Sequence, residues 1–155
     1  MPQVDATLRE LTGYCMRRAT TKVLSLVNDR LAPFGLRRTT FSTLSIIVDE
    51  PGIHQSRVAD ALSIERPNIV QIVDELEQAG LVKRVPVPGD RRVRGLQPTK
   101  DGKRLYKAAL DRLRETESRL THNLSAAEIA TLQRALLIIE NNAEEQRSDD
   151  VPIET

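Results

Sequence analysis

The 155-residue chain has a single cysteine, two histidines and no tryptophan. One thiol, Cys15, excludes an intrachain disulfide framework and any multi-cysteine zinc site. His54 and His122 stand far apart in sequence, so no structural metal cage is expected, and no cofactor either. Four aromatic residues (Tyr14, Phe34, Phe41 and Tyr106) are too few for a base-stacking platform of the kind that holds single-stranded nucleic acid. No apolar run approaches the ~18 residues of a transmembrane helix. Residues 1–10 lack the basic-then-apolar pattern of a signal peptide. A glycine-rich phosphate loop, a nucleophile elbow and a His-containing catalytic cluster are all missing, which argues against an enzyme. These absences together predict a reduced, soluble, cytoplasmic protein with no membrane span.

What is present begins with charge. The net charge of +1 hides an asymmetry. The 22 residues from Lys83 to Arg104 contain eight bases and two acids, so this block is +6 and the remainder of the chain is −5. A basic block on a nearly neutral protein suits docking to a polyanion, although a solvated charged face would look the same.

Apolar spacing then organises the chain. Residues 4–31 read as one long helix, with Val4, Leu8, Leu11, Cys15, Ala19, Val23, Leu26 and Val27 stepping by three and four, closed by Pro33 and Gly35. A second helix is expected over about 39–49 and a short third over about 55–62. A fourth opens at Arg66-Pro67 and ends at Gly80, a natural residue just beyond a helix C-terminus. The period changes at 81–86, where a short β-prone run meets Val87-Pro88-Gly89-Asp90, a type II turn pattern, and 93–97 returns as a second strand. Pro86, Pro88 and Pro98 predict a short ladder. Thr99 caps a helix running to about residue 123. Ser125 and Glu128 form a capping box that opens the last helix, with fraying expected from Glu144.

Helix, short helix, tight turn, helix and basic hairpin in that order describe a winged helix-turn-helix. The fold class expected is therefore mainly α: four helices, a two-stranded wing and two more helices, with long helices at both ends. The turn Leu62-Ser63-Ile64 lets Ile64 plug the angle between two helices. The fourth helix should bury Ile69, Val73 and Leu76 and present Arg66, Asn68 and Gln71, whose side chains suit guanine and adenine edges in the major groove. Val70 can touch a thymine methyl group. Asp74, Glu75 and Glu77 should repel phosphates and confine contact to the first two turns. Asp90, Arg91, Arg92 and Arg94 give the hairpin a basic tip; an arginine there can enter a narrow minor groove, with Asp90 holding the Arg92 guanidinium. The bland alternative is a polar helix face, or a winged helix used only for protein contacts.

The stretch from Ile64 through Arg66-Pro67-Asn68 and Gly80-Leu81-Val82, continued by Gly89-Asp90-Arg91-Arg92 and by Thr99 and Gly102, resembles the MarR family of bacterial transcription regulators. The resemblance extends over nearly the whole chain. Three positions depart from the usual pattern: Glu65 where a capping Ser or Asp is common, His54 where Ser or Thr is commoner, and Pro98 in place of an apolar residue. The resemblance implies a homodimer on a palindromic double-stranded operator, acting as a repressor. Residues 1–35 and 99–147 would be dimerisation helices, 36–98 the DNA-binding unit and 148–155 a flexible tail. Leu8, Leu11, Ile129, Leu132, Leu136 and Ile139 are the expected dimer seam, because their stripes exceed what one small winged unit needs.

The resemblance also implies a signal. Many members release DNA when a small anionic or aromatic compound binds, and others sense oxidants through a cysteine. Arg17, Arg18 and Thr21 interrupt the apolar stripe of the first helix and offer a cationic rim for a carboxylate or phosphate. Arg38 and Phe41 complete the candidate effector set from the second helix. Cys15 offers the thiol alternative, but its place on the apolar stripe makes it read as a small buried hydrophobe.

Overall fold

A computed structural model describes residues 4–87 and 90–149; at 87, 90–93 and 147–149 it describes the backbone alone. The chain forms two compact units, residues 1–115 and 116–155. The first begins with α1 (Ala6–Arg9) and α2 (Thr12–Leu31), followed by a 3-10 turn (Ala32–Phe34) and α3 (Arg38–Asp49). Next come β1 (Ile53–His54), α4 (Gln55–Ala61), α5 (Arg66–Gln78), β2 (Val82–Val87) and β3 (Asp90–Pro98). The boundary between the units falls inside α6 (Lys100–Leu120), and α7 (Ala126–Asp149) belongs to the second.

Several expectations need correcting. The long N-terminal helix is broken: Leu11 is extended (φ −88°, ψ 116°), and α2 restarts at Thr12-Gly13, two weak helix formers. Asp5 supports the break by bonding forward, accepting from Arg9 Nε at 3.0 Å and from Tyr14 Oη at 2.9 Å. Cys15, expected to be buried, is exposed within this chain, and its thiol donates to the Arg9 carbonyl. The second wing strand, β3, is longer than the expected 93–97, while β2 keeps the six-residue length of the expected 81–86 run. The sheet order is β1-β3-β2, so β2 is an edge strand, where a residue without an N–H is tolerated. The register slips between Pro86 and Val87. The third strand, β1, pairs Ile53 with Leu96 and His54 with Gly95, and was not foreseen. The helix after Thr99 stops at Leu120, short of residue 123. The last helix continues to Asp149 instead of fraying at Glu144. The turn expected at Pro88-Gly89 lies outside the described residues.

The core of the first unit gathers Leu31, Leu44, Ile47, Val58, Leu96 and Ala109 around α5, whose Ile69, Ile72, Val73 and Leu76 are all buried. Each such residue contributes about 1.5–3 kcal/mol on burial, so packing against α3 and α4 decides where α5 lies. Two helix ends then aim it. At the end of α4, Ser63 is left-handed (φ 50°), with Ile64 N–H bonded to Ala59 O and Ser63 N–H to Asp60 O. Gly80 (φ 69°) repeats the arrangement after α5, with Leu81 N–H on Leu76 O and Gly80 N–H on Glu77 O. This double closure satisfies the last carbonyls and turns the chain sharply. Ile64 and Leu81, the residues just past each closure, pack against the core.

The junction between α5 and α6 is tied as tightly. Thr99 N–H bonds Leu81 O at 2.9 Å, and its hydroxyl donates to Gly80 O at 2.7 Å and accepts from Gly102 N–H at 2.9 Å. In the second unit Ser125 and Glu128 form the expected capping box: Ser125 N–H bonds the Glu128 carboxylate at 2.8 Å, and Glu128 N–H bonds Ser125 Oγ at 3.3 Å. The Ser125 hydroxyl hydrogen bond, followed by the backbone bond, holds the Glu128 carboxyl below its usual range.

Candidate nucleic-acid interface

The first half of α5 is an exposed polar edge. Arg66, Asn68, Val70 and Gln71 all face solvent, while Ile69 between them turns into the core. Pro67 in the first turn suits a helix start, since its missing N–H has no intrahelical partner there. Glu65 occupies the N-cap position but makes no side-chain cap hydrogen bond. Pro67 has no N–H and the Asn68 N–H bonds Glu65 O at 3.0 Å, so what the first turn offers an approaching phosphate is the positive end of the helix dipole rather than a row of free donors.

In the second half of α5 the three carboxylates expected to repel phosphate are ion-paired. Asp74 and Glu77 are both taken by Arg84 of β2, whose Nη2 lies 2.6 Å from Asp74 Oδ1 and whose Nη1 donates to Glu77 Oε2. The Arg84 N–H also reaches Glu77 Oε1 at 3.2 Å. Glu75 is paired with Arg37, the N-cap of α3. Two arginines thus pair three carboxylates, which leaves a net charge of −1 over these five groups. The hydrogen bond to Asp74 holds the Arg84 guanidinium protonated even more firmly than usual. These exposed and half-exposed pairs contribute only ~0–1 kcal/mol of stability each, far below the packing of α5. Their effect is on charge and angle. Sequence spacing gives no sign of them, because both arginines come from other elements.

The remaining DNA-contact candidates lie on β3. Arg94 is exposed and sits opposite Pro86 of β2. Asp90 is the first residue of β3 and pairs with Val87. The side chains of Asp90, Arg91 and Arg92 lie outside the described residues, and so does the Asp90–Arg92 pairing. All four residues belong to the wing that follows α5 directly.

The effector candidates lie on two helices, Arg17, Arg18 and Thr21 on α2 and Arg38 and Phe41 on α3. Arg17 and Arg18 lie over the Tyr14 ring, at 5.1 and 5.8 Å from its centre. Arg18 is also 3.4 Å from Asp5 Oδ2, and the Tyr14 hydroxyl beside it raises its pKa. Thr21 bonds back to the Arg17 carbonyl at 2.9 Å. Arg38 is exposed at the start of α3. Phe41 stacks on Tyr106 at 5.6 Å, and Tyr106 in turn shares a 3.0 Å hydrogen bond with Ser45. A cavity of about 350 Å³ lies elsewhere in this unit, lined by Phe34, Leu81, Leu105 and Ala108 with the Arg104–Asp101 ion pair among its walls. None of the five candidates lines it.

Of the dimer-seam candidates, Leu8, Leu11, Leu132 and Leu136 are exposed and Ile129 and Ile139 are half-buried. Among the described residues no group of His, Cys, Asp and Glu is placed to hold a metal ion, and no helix is long and apolar enough to cross a membrane.

A recognition-type helix with an exposed polar first half, packed on a short helix and followed by a basic β-hairpin, defines a winged helix-turn-helix protein of the kind that reads duplex DNA. A MarR family profile matches residues 34–93. A transcriptional repressor, CouR, solved bound to a 23-mer DNA duplex, is 33% identical over 90% of this chain and 99% of its own, with a TM-score of 0.83. CouR from Rhodococcus jostii, solved bound to p-coumaroyl-CoA, is 32% identical over 82% of this chain and 90% of its own, with a TM-score of 0.74. A MarR variant from E. coli complexed with operator DNA is 25% identical over 88% and 98% of the two chains, with a TM-score of 0.75. The chain belongs to the MarR family.

Proposed function

We propose that this chain is a cytoplasmic DNA-binding transcription regulator without catalytic activity. In this reading it binds a palindromic operator as a homodimer and acts as a repressor, released by a small anionic or aromatic effector. The observation that carries the reading is the exposed run Arg66, Asn68, Val70 and Gln71 at the start of α5, with the carboxylates of its second half ion-paired. Residues 1–35 and 99–147 supply the dimer contacts, 36–98 the DNA-binding unit and 148–155 a tail. The relatives solved with DNA and with p-coumaroyl-CoA support both halves of the proposal.

Selection of bound fragments from the source genome tests the DNA reading and supplies the operator. On that operator, Asn68→Ala or Gln71→Ala should relax preference at one base pair, by about 1–3 kcal/mol of discrimination. Equal losses on operator and random duplex would assign the reader elsewhere.

An operator-release titration tests the signal, with p-coumaroyl-CoA as the first ligand. Its phosphates are anionic and its acyl group is aromatic. A charge-assisted hydrogen bond is worth ~1.5–3 kcal/mol, so Arg17→Gln or Arg18→Gln should blunt release roughly tenfold or more while ligand-free binding stays intact. The ligand can shift the equilibrium only by its difference in affinity for the two states. The exposed Cys15 thiol keeps an oxidant reading in view. If Cys15→Ser abolishes release by peroxide and the arginine changes alter nothing, the thiol is the sensor.

A further inference from the structure

The geometry points to Arg84 as the residue that sets the angle between the wing and the recognition helix, and with it the spacing between operator core and flank that the protein accepts. This rests on the DNA-binding reading of α5. Asp74 and Glu77 are three residues apart, so their carboxylates stand one above the other on the same face of α5. Arg84 places one terminal nitrogen on each and adds its own backbone N–H to Glu77. A planar fork gripping two points about a helical turn apart resists rotation of the strand against the helix, which a single contact would not. The base of the wing is fixed separately, by the Thr99 bonds to Gly80 and Leu81. Val82 is buried just beyond it. Further out, the β2–β3 register slips after Pro86. Between the fixed base and that slip, the Arg84 grip is the polar tie from β2 to α5 among the described side chains. Each terminal nitrogen of Arg84 already donates to a carboxylate of α5, which directs its charge onto that helix.

The test uses the full chain, the selected operator and a second duplex whose A·T flanks are moved outward by one base pair. Binding is measured across a range of salt concentrations. The unaltered protein should lose roughly tenfold on the shifted duplex, about 1.4 kcal/mol. Arg84→Gln should bind the operator roughly tenfold more weakly yet distinguish the two duplexes by less than about twofold. Its discrimination at the base read by Gln71 should stay within about twofold of the parent, and its Tm within about 4 °C. Arg84→Lys should recover part of the flank discrimination. The double variant Asp74→Asn, Glu77→Gln should lose flank discrimination with Arg84 untouched. A salt slope lowered by about one, with equal loss on every duplex, would make Arg84 a phosphate contact and overturn the proposal. Unchanged flank discrimination in Arg84→Gln or in the double variant would also overturn it. Failure of the unaltered chain to bind any duplex removes the DNA-binding reading itself, and this proposal with it.

Discussion

Gly102→Ala is expected to cost about 3 kcal/mol of folding stability. A Cβ at residue 102 would stand 2.0 Å from the Leu81 carbonyl oxygen and 2.9 Å from the Leu81 carbonyl carbon. The obstacle is backbone, so no rotamer change relieves it. Either α6 lifts or the Gly80–Leu81 corner moves, and both routes break the Thr99 bonds that tie the end of α5 to the start of α6. Overpacking costs ~1–3 kcal/mol and each lost hydrogen bond ~0.5–1.5, against a gain in helix propensity of about 1 kcal/mol. Because Leu81 follows the recognition helix directly, operator affinity should fall as well. Urea denaturation at fixed protein concentration measures the change. Gly13→Ala is the control: it is also helical, but a Cβ there meets nothing within 4 Å, and it should stabilise by at most ~1 kcal/mol. A Gly102→Ala midpoint matching the parent would show that the corner can yield.

The requirement at Gly102 shows where sequence reasoning reached and where it stopped. Thr99 and Gly102 were legible as part of a family pattern, but the reason for the glycine is an approach to a carbonyl 21 residues earlier. The reading of α5 succeeded because its signals are local. Arg66-Pro67 starts the helix, a strong apolar period runs through Ile69, Ile72, Val73 and Leu76, and Gly80 closes it. The Ser125–Glu128 box was legible for the same reason.

What failed was nonlocal or too short to show a period. Two residues, Ile53 and His54, cannot display alternation, and their strand exists only because β3 offers Leu96 and Gly95. The break at Leu11 follows from contacts of Asp5 with Tyr14 and Arg18, which no apolar stripe reports. Cys15 lay on the expected stripe, yet with the helix broken its thiol meets the Arg9 carbonyl in the open. At the DNA face, charge counting set Asp74, Glu75 and Glu77 against phosphate. The fold answers with Arg37 and Arg84, one from the helix before and one from the strand after. Counting charges along a chain cannot say which of them already have partners.

Leu136→Glu should convert the dimer into monomers and abolish operator binding. In α7 the five consecutive residues 135–139 are apolar, and five helical positions pass right around the helix axis. Leu132, Leu136, Leu137 and Ile138 are all exposed within this chain. A helix apolar on more than one face calls for partner surfaces. In a two-fold dimer the same patch meets itself, so one substitution is felt twice. Leu136 is 40% exposed within this chain, so its loss from the seam forfeits part of a leucine's ~1.5–3 kcal/mol per copy, and forcing a carboxylate into the seam costs several kcal/mol more. The dissociation constant should therefore rise by roughly 10² to 10⁴ or more. Sedimentation should give the unaltered chain a mass near twice 17.4 kDa and the variant a mass near 17.4 kDa, with its helix content retained. Glu140→Gln, at an exposed polar position on the same helix, should stay dimeric. Operator binding should fall with the dimer, because two half-sites are read together only when two copies are held at a fixed separation. A Leu136→Glu protein that remains dimeric would move the seam away from α7. An unaltered chain that is monomeric at micromolar concentration would remove both the dimer and the palindrome.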